Sequence, residues 1–484
     1  DVMMVLDVTG SMNEINPTDT KPRIEVLKDV VKTFHGNMEA EKTPGTRFRY
    51  GFVPYSTNVN VGWLLKSDWL VDSATYEGRE AFNTGNDKTE DQWSEDWPYV
   101  SGTFAWGTPS VQKTCTYSDP PSVEIDHGFD ADGTEWWKYR KHGTGQNCNL
   151  TTDGNYNVQP YTYTDYIYLH KKKYLGKVTY KDWAWRYKTV TLDVSKMKNP
   201  NGDKVPNGGK VSTDMGGPPE KTTKLDAWMN GCIEERKTYE ITDYANVDFT
   251  KALDLDIDLV PNKANPDTQW RPQLQAIAWA RALTWSNWSS WPWSTGPSDF
   301  DGDYIDAGLT YGACPAASSK LAEMNATDVA NYVNGLVASG STYHDIGMIW
   351  GGRLLSPTGL FASENVDVGG TTTSRHLIFL TDGLTQPNEI SYSSYGIEGI
   401  SRRRWTPGGS QTLTQTVENR LAVACQQVKN RNIIVWVIGF GTSLNSVLTD
   451  CAGPGHYFEA KDAASLNTTF NKIAEAMGDL RIAQ

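Results

Sequence analysis

The first part of the chain alternates between apolar runs and one stretch of helical spacing. Residues 2–6 are continuously apolar, which is typical of a strand buried on both faces of a parallel sheet. The apolar side chains that follow recur at helical spacing and predict an amphipathic helix through Ile24, Leu27, Val30, Val31 and Phe34. Residues 48–57 follow as a second strand. The chain therefore opens with a strand, a helix and a strand.

The C-terminal part of the chain returns to the same alternation. Apolar runs predict buried strands at residues 376–383 and 433–441, and a shorter strand at residues 456–460. Helical spacing precedes, separates and follows them, at residues 328–337, 344–355, 417–429 and 463–480. Strands that alternate with helices predict a doubly wound, mostly parallel α/β sheet with helices on both faces.

Residues 62–325 break this pattern. Trp, Tyr, Gly, Asp and Thr dominate there, apolar runs are short, and turn sequences such as NPNGDK and DADG are frequent. We interpret this middle segment as a large, mostly β insertion into one loop of the α/β domain. The predicted organisation is a first part of the α/β domain at residues 1–61, the insertion at residues 62–325, and a second part at residues 326–484.

The acidic net charge of the chain argues against some classes of binding partner. The chain has 484 residues and a formal net charge of -13. A nucleic-acid-binding domain usually carries the opposite balance, so we expect no nucleic acid partner. No apolar run approaches the roughly 20 residues that span a bilayer. Because a buried strand begins at residue 2, we expect the natural protein to carry a segment upstream of it, and any membrane contact to run through that segment.

The cysteines predict a covalent framework. Six are present, an even number, and none forms a CxxC pair. Disulfides in an oxidising compartment and buried free thiols in the cytoplasm both agree with this count, and we favour disulfides. Short loops close with the smallest loss of entropy, so we expect neighbours along the chain to pair. The expected disulfides are Cys115–Cys148, Cys232–Cys314 and Cys425–Cys451, and the first two would staple the insertion internally.

Three loops carry oxygen-bearing side chains toward one predicted edge of the sheet. Asp7, Thr9 and Ser11 follow the first strand, Asp382 lies in the Asp-Gly turn that ends the predicted strand of residues 376–383, and Thr342 precedes a helix. Ligands of open α/β sheets bind beyond the carboxyl ends of the strands. A hard divalent cation such as Mg²⁺ prefers about six oxygen ligands, which two carboxylates, three hydroxyls and water can supply. The first motif alone is also an ordinary capping turn, so the combination carries the prediction.

These motifs resemble a known metal site. VLDVTGSM, GST and LIFLTDG are similar to the three parts of the metal-ion-dependent adhesion site (MIDAS) of von Willebrand factor type A domains, a Rossmann-like family. Asp7, Thr9 and Ser11 match the first part, Thr342 the second and Asp382 the third. Thr9 stands where Ser is commoner, which retains the hydroxyl. The resemblance implies cell adhesion through a divalent cation at these residues, Mg²⁺ before Mn²⁺ or Ca²⁺. It also implies that ligand binding moves the last helix.

A narrower resemblance covers more of the chain. FVPYSTNVNVG, WMNGCIEER, GSTYHDIGMIWGGRLLSP and CAGPGHYFEA are similar to segments of TadG-like proteins of bacterial tight-adherence (Tad/Flp) pilus systems. In that family a membrane or pilin-like segment precedes a von Willebrand A domain with a long insertion. The resemblance implies a secreted protein of the periplasm, cell surface or pilus, anchored by an upstream segment, with pilus subunits as partners. It also supports the pairing of Cys425 with Cys451.

Two acidic motifs are weaker candidates for cation binding. Asp299, Asp301 and Asp303 in DFDGDYID fall at alternate positions, as the ligands of a calcium loop do. The next Gly and the distal Glu of a full loop are missing, so a solvated acidic turn is the alternative. DADG at residues 130–133 is weaker still.

Three further motifs have plain structural explanations beside functional ones. DLDIDL at residues 254–259 alternates strictly and predicts an amphipathic strand with its carboxylates in water. WSNWSSWPW at residues 285–293 forms either part of the core of the insertion or a surface that stacks on sugars or a partner. RRRW at residues 402–405 attracts anions near the predicted site, or is a surface loop without function.

Together these observations predict a metal-dependent adhesion or ligand-binding protein of a bacterial surface pilus. Its ligand would be a protein or surface that offers an acidic group. The alternative is a structural pilus-tip or periplasmic assembly subunit, in which the metal only stabilises the loops. The two differ in whether the open metal position faces solvent. We expect no enzymatic activity, because no nucleophile with a neighbouring base can be identified in the chain.

Overall fold

The structure, a computed structural model, describes residues 1–150, 155–199, 205, 209–217, 224–281, 304–306, 312–367 and 372–482. The chain divides into two units. The first combines Asp1–Phe82 with Ala184–Gln484, and the second is Asn83–Trp183.

The strands and helices are numbered along the chain. The strands are β1 Val2–Asp7, β2 Tyr50–Tyr55, β3 Ser73–Asp96, β4 Tyr99–Trp106, β5 Ser110–Gln112, β6 Val123–Phe129, β7 Glu135–Leu150, β8 Tyr156–Asp193, β9 Lys210–Asp214, β10 Lys224–Trp228, β11 Ile233–Glu234, β12 Arg271–Pro272, β13 Trp279–Arg281, β14 Tyr304–Asp306, β15 Ser319–Ala322, β16 Arg375–Thr381, β17 Tyr392–Ser393, β18 Gly396–Ile397, β19 Ile433–Phe440 and β20 Tyr457–Ala460. The helices are α1 Arg23–Ala40, α2 Ala326–Asn334, α3 His344–Leu355, α4 Ala362–Asn365, α5 Glu398–Ser401, α6 Leu413–Lys429, α7 Ser446–Ala452 and α8 Ala463–Ile482. Among the described helices, none combines the length and the apolarity that crossing a bilayer requires.

The two ends of the chain build one six-stranded sheet in the order β15–β2–β1–β16–β19–β20. From β2 to β20 the neighbouring strands are parallel, and β15 joins the edge antiparallel to β2. Every residue of β1 and of β16 is buried, as their continuous apolar runs predict. In this register Val2 lies opposite both Tyr50 and His376, so β1, β2 and β16 end at the same edge.

The side chains of β1 alternate between two hydrophobic cores. Met4 and Leu6 pack in a core with side chains from α1, α2 and α8, while Met3 and Val5 pack in a second core with α3 and α6. Successive side chains of a strand project from opposite faces of its sheet, so both faces of this sheet are covered. α8 buries the side chains whose spacing predicted its inner face, Leu466, Phe470, Ile473 and Met477.

The second unit is an antiparallel ribbon. Within it β8 pairs with β7, which pairs with β6, and β4 and β5 also pair with β8. Aromatic rings of β7, of β8 and of the turn between β3 and β4 stack in the ribbon. The His170 ring lies 3.9 Å from the Trp97 ring and 5.2 Å from the Trp137 ring, centroid to centroid.

The predicted fold class, a doubly wound, mostly parallel and Rossmann-like α/β sheet, is wrong. Strands take up 38% of the chain and helices 25%, and the strands are mostly antiparallel. The sheet built from the two ends is itself mixed, because β15 runs antiparallel to β2. The prediction relied on the apolar runs near the two ends. The middle segment was expected to be mostly β but with short strands, whereas β3 and β8 are 24 and 38 residues long.

The chain contains disulfide bonds, as predicted. Cys115–Cys148 lies in the second unit, and Cys232–Cys314 and Cys425–Cys451 lie in the first. These are the pairs that neighbour pairing predicts. The Cys425–Cys451 bond joins α6 to α7 beside the mixed sheet.

A buried carboxylate joins the middle segment to α3. Glu235 is 1% exposed and pairs with the fully buried Arg353, with Oε1 2.7 Å from Nη1. The same carboxylate accepts hydrogen bonds from Trp350 Nε1 at 2.8 Å and from Trp270 Nε1 at 3.0 Å. Burial removes the hydration of the Glu235 carboxylate, and the bonds from Arg353, Trp350 and Trp270 offset that loss.

A second buried ion pair corrects the expectation for DLDIDL. Residues 254–259 form turns and not a strand, and Asp254 is fully buried. Its Oδ2 pairs with Arg420 of α6 and accepts a hydrogen bond from the Tyr395 hydroxyl at 2.8 Å. The alternating pattern could not indicate this position, because the partner of Asp254 comes from a helix far along the chain.

We expect Glu235→Gln to destabilise the first unit by roughly 3–5 kcal/mol, because the substitution leaves the Arg353 charge buried without a counter-charge. The control is Asp267→Asn, which removes a surface pair with Lys237 whose side chains are 50% and 60% exposed. Such a pair contributes at most about 1 kcal/mol. Urea denaturation followed by tryptophan fluorescence measures both variants, and similar losses in the two would contradict a role for the buried pair.

Acid should weaken the fold through His376. The ring is 3% exposed, and its Nδ1 accepts a hydrogen bond from Trp436 Nε1 at 3.2 Å, so the folded chain holds it neutral. Burial lowers the pKa of His376 to about 3. The pKa of an unfolded histidine is about 6.5, so the unfolded chain takes up the proton first. The contribution of the neutral His376 ring to the free energy of unfolding is complete above about pH 6.5. It is lost as the pH falls toward 3, at up to ~1.4 kcal/mol per pH unit.

His376→Gln removes this titration. Between about pH 7.5 and pH 5.5 we expect its free energy of unfolding to fall by roughly 1 kcal/mol less than that of the unchanged protein. Urea denaturation at the two pH values gives the comparison. The other titrating groups are common to both proteins and cancel, so equal losses would show that His376 is not held neutral.

Candidate functional site

Asp7 ends β1 and lies at the centre of a hydrogen-bonded cluster. Its Oδ1 accepts the Thr9 backbone N–H at 2.9 Å. Its Oδ2 accepts the Thr381 hydroxyl at 2.9 Å and the Tyr55 hydroxyl at 3.2 Å. Asp7, Thr9, Tyr55 and Thr381 are all fully buried. Three adjacent parallel strands therefore bring one carboxylate and its donors together at their common edge.

A chain of hydroxyls joins this group to the second carboxylate. Thr9 Oγ1 lies 3.0 Å from Ser11 Oγ, and Ser11 donates to Asp382 Oδ1 at 2.8 Å. Arg23 Nη1 donates to the other oxygen, Asp382 Oδ2, at 3.0 Å. Ser11 and Asp382 are 371 residues apart along the chain. The structure thus brings four of the five predicted ligands into one connected cluster.

Thr342 stands in the loop that adjoins this cluster. Its backbone exchanges two hydrogen bonds of 3.1 Å with Gln386, which follows β16. The preceding residues bind the β1 loop, since Gly10 N–H donates to Gly340 O at 2.9 Å and Ser339 N–H donates to Val8 O at 2.8 Å. Gly340 has a φ of +91°, which favours glycine. The loops that carry the three motifs are therefore held together by backbone bonds.

The two carboxylates influence each other. Burial and the nearby Asp382 carboxylate raise the pKa of Asp7 to about 7. Burial also raises the pKa of Asp382, although Ser11 and Arg23 oppose that shift. Two like charges in a buried place favour a bound cation. A donor set of two carboxylates and three hydroxyls is all oxygen, which suits a hard ion such as Mg²⁺. In the part of the chain that the structure describes, no three His, Cys, Asp or Glu side chains group into a metal site.

Sequence reasoning missed the residues that support the ligands. Thr381 immediately precedes Asp382, and its hydroxyl also lies 2.9 Å from His344 Nε2. His344 Nδ1 lies 2.9 Å from the Thr385 hydroxyl, and burial lowers the pKa of His344 to about 3, so the ring is neutral. Tyr55 lies opposite Asp7 in the strand register. Because Tyr55 lies near the end of a predicted strand, the sequence could have indicated that it lies near the site. Nothing in the sequence indicated that Arg23 contacts Asp382.

The remaining motifs fall elsewhere. The candidate cation site at Asp299, Asp301 and Asp303 and the Trp-rich stretch at residues 285–293 lie outside the described residues. Of RRRW, Arg404 is buried and pairs with Asp345 at 2.5 Å and Glu398 at 2.6 Å. This arginine is therefore part of the core and not of an anion-binding surface.

The comparisons with known proteins find similarity only among solved structures. No family model and no curated protein matches the chain. The pilus adhesin SpaC from Lactobacillus rhamnosus GG, in its open conformation, is 18% identical over 37% of this chain and 23% of its own, with a TM-score of 0.24. A second crystal form of SpaC has the same coverage and a TM-score of 0.22. The vWF domain of the type V pilus tip protein Mfa5 from Porphyromonas gingivalis is 13% identical over 33% of this chain and 74% of its own, with a TM-score of 0.22.

These structural neighbours are pilus adhesins and a pilus tip protein. The similarities cover about a third of this chain, and the chain spans about a quarter of the length of SpaC. At these TM-scores they do not place the chain in a family.

We expect Thr381→Val to loosen the cluster around Asp7. The variant keeps the shape of the side chain but removes the hydroxyl that donates to Asp7 Oδ2 and that lies beside His344, which should lower the free energy of unfolding by about 1–3 kcal/mol. Thr385→Val is the matched control, because it removes the other hydroxyl beside His344. Urea denaturation in the presence of a chelator compares them, and a loss in the control as large as in Thr381→Val would rule out the Asp7 contact as the cause.

Proposed function

We propose that this chain is a metal-dependent adhesion or ligand-binding protein of a bacterial surface pilus. A divalent cation, Mg²⁺ in the first place, would be held by Asp7, Thr9, Ser11, Thr342 and Asp382. The observation that carries the proposal is the bond from Ser11 Oγ to Asp382 Oδ1, together with the approach of Thr9 Oγ1 to Ser11 Oγ. These contacts unite the first and third motifs at one sheet edge.

The exposure around the cluster supports a ligand-binding role over a purely structural one. Asp7, Thr9 and Asp382 are buried, but Gly10 is exposed, Ser11 is half-buried and Leu384 is 57% exposed. A cation behind this rim would keep a coordination position that a carboxylate from another molecule could reach. The ligand we propose is therefore a protein or surface that presents acidic groups.

The disulfides and the sequence resemblance are the basis for the cellular location that we propose. Three disulfides fit a secreted or surface protein better than a cytoplasmic one. The similarity of several segments to TadG-like proteins supports a place in a Tad pilus system, with pilus subunits as partners. The role we propose is binding and not catalysis.

The first test is stabilisation by Mg²⁺ alone. At a free concentration on the order of 100 times Kd, a bound ion should stabilise the fold by ~2.7 kcal/mol, which thermal unfolding with and without a chelator detects. Asp382→Ala and Ser11→Ala should abolish this response. Asp226→Ala, which removes an exposed carboxylate paired with Lys210 at 2.8 Å, should retain it. A response that survives in Asp382→Ala would refute the site.

The second test separates adhesion from a structural role. Beads coated with the chain should be retained on a carboxylate-coated surface in Mg²⁺ and released by a chelator, and beads coated with Asp382→Ala should not be retained. Stabilisation by Mg²⁺ without divalent-dependent retention on carboxylates would instead favour an assembly subunit whose metal only rigidifies the loops.

A further inference from the structure

Arg23 begins α1 and reaches the candidate metal centre. Its Nη1 donates to Asp382 Oδ2 at 3.0 Å and to Glu14 Oε2 at 3.2 Å, and its Nε donates to Asn16 Oδ1 at 2.8 Å. The side chain of Arg23 is 12% exposed, and that of Asp382 is 0% exposed. A positive charge of the chain itself therefore already neutralises one of the two carboxylates that would hold the cation.

The backbone around Gly441 keeps this guanidinium in place. Gly441 follows β19 with a φ of +73°, and a Cβ at that position would lie 2.9 Å from Arg23 Nε. The guanidinium therefore packs directly on the backbone that leaves β19, and the Asn16 amide oxygen, which packs against the same glycine, accepts the bond from its Nε. The ion pair between Arg23 and Asp382 is therefore held in place by the surrounding structure, unlike a flexible ion pair on the surface.

Glu14 offers the guanidinium a second partner. The Glu14 side chain is 67% exposed, so its bond to Arg23 is screened by water and weak. The pair with the buried Asp382 acts through a lower dielectric and is stronger. A divalent cation near Asp382 would repel the guanidinium, which could give up Asp382 while it remains bound to Glu14 and Asn16.

We propose that Arg23 is a resident counter-cation that competes with the divalent ion for Asp382. It stabilises the metal-free site and lowers the affinity of that site for metal, so the occupancy of the centre responds to the concentration of the ion. This inference rests on the proposed function, because it requires that the site bind a divalent cation.

The test compares Arg23→Gln with Lys21→Gln. Lys21 stands two residues earlier and is 61% exposed, with its Nζ 2.8 Å from Asp29 Oδ2, so its loss changes the net charge equally without touching the site. Titration calorimetry with Mg²⁺, and electron paramagnetic resonance of free Mn²⁺, measure the affinity. We expect Arg23→Gln to bind either ion roughly three- to tenfold more tightly and Lys21→Gln to bind like the unchanged protein.

Two further measurements exclude a merely structural effect. In a chelator, Arg23→Gln should unfold at a lower temperature than the unchanged protein, and saturating Mg²⁺ should remove most of that difference. Arg23→Lys keeps the positive charge near Asp382 and should bind metal within about twofold of the unchanged protein. Arg23→Met, which keeps the aliphatic stem, replaces Arg23→Gln if that variant does not fold.

The outcomes distinguish this inference from the proposed function. If the unchanged protein binds Mg²⁺ and Arg23→Gln binds it equally or more weakly, competition is refuted while the metal site stands. If the unchanged protein binds neither Mg²⁺ nor Mn²⁺, the proposed function fails and this inference fails with it.

Discussion

The buried pair between Glu235 and Arg353 is the constraint on which the arrangement of the first unit depends. Neither charge reaches water, so each must keep its partner, and the two indole donors of Trp270 and Trp350 complete the carboxylate. Glu235 belongs to the middle segment and Arg353 to α3. The pair therefore fixes α3 on the segment that covers it, and the N-terminal end of α3 carries the loop with Thr342.

The position of α3 also fixes His344, a neutral histidine that contacts the candidate site. His344 begins α3 and lies within 2.9 Å of the hydroxyls of Thr381 and Thr385, which end and follow β16. Thr381 in turn donates to Asp7. A chain of polar contacts thus runs from Thr385 through His344 and Thr381 to Asp7 at the end of β1, and all four residues are buried. Such networks define one geometry when all their members have partners.

The local pattern of apolar and polar residues was sufficient to predict individual strands and helices, but it was insufficient to predict how they assemble. The apolar runs of β1, β16 and β19 and the helical spacing of α8 predicted those elements, because burial on both faces of a strand or along one face of a helix leaves a periodic trace. The fold class was nevertheless wrong, since the pattern gave too little weight to the long antiparallel strands of the middle segment. Asp254 was misjudged for a related reason, because a carboxylate in an alternating segment looks solvated until its partner is known.

The sequence by itself determined that Asp7, Thr9, Ser11 and Asp382 follow predicted strands and that Thr342 precedes a helix, and the resemblance of these motifs to a metal-ion-dependent adhesion site made them the predicted ligands. Only the tertiary structure decided that Arg23 pairs with Asp382, that Tyr55 and Thr381 donate to Asp7, and that the rim around Ser11 is open. The physical reason is that periodicity reports burial, a property of each residue and its near neighbours. These hydrogen bonds and this ion pair at the sheet edge join residues that are 48 to 374 positions apart, and no local pattern records such contacts.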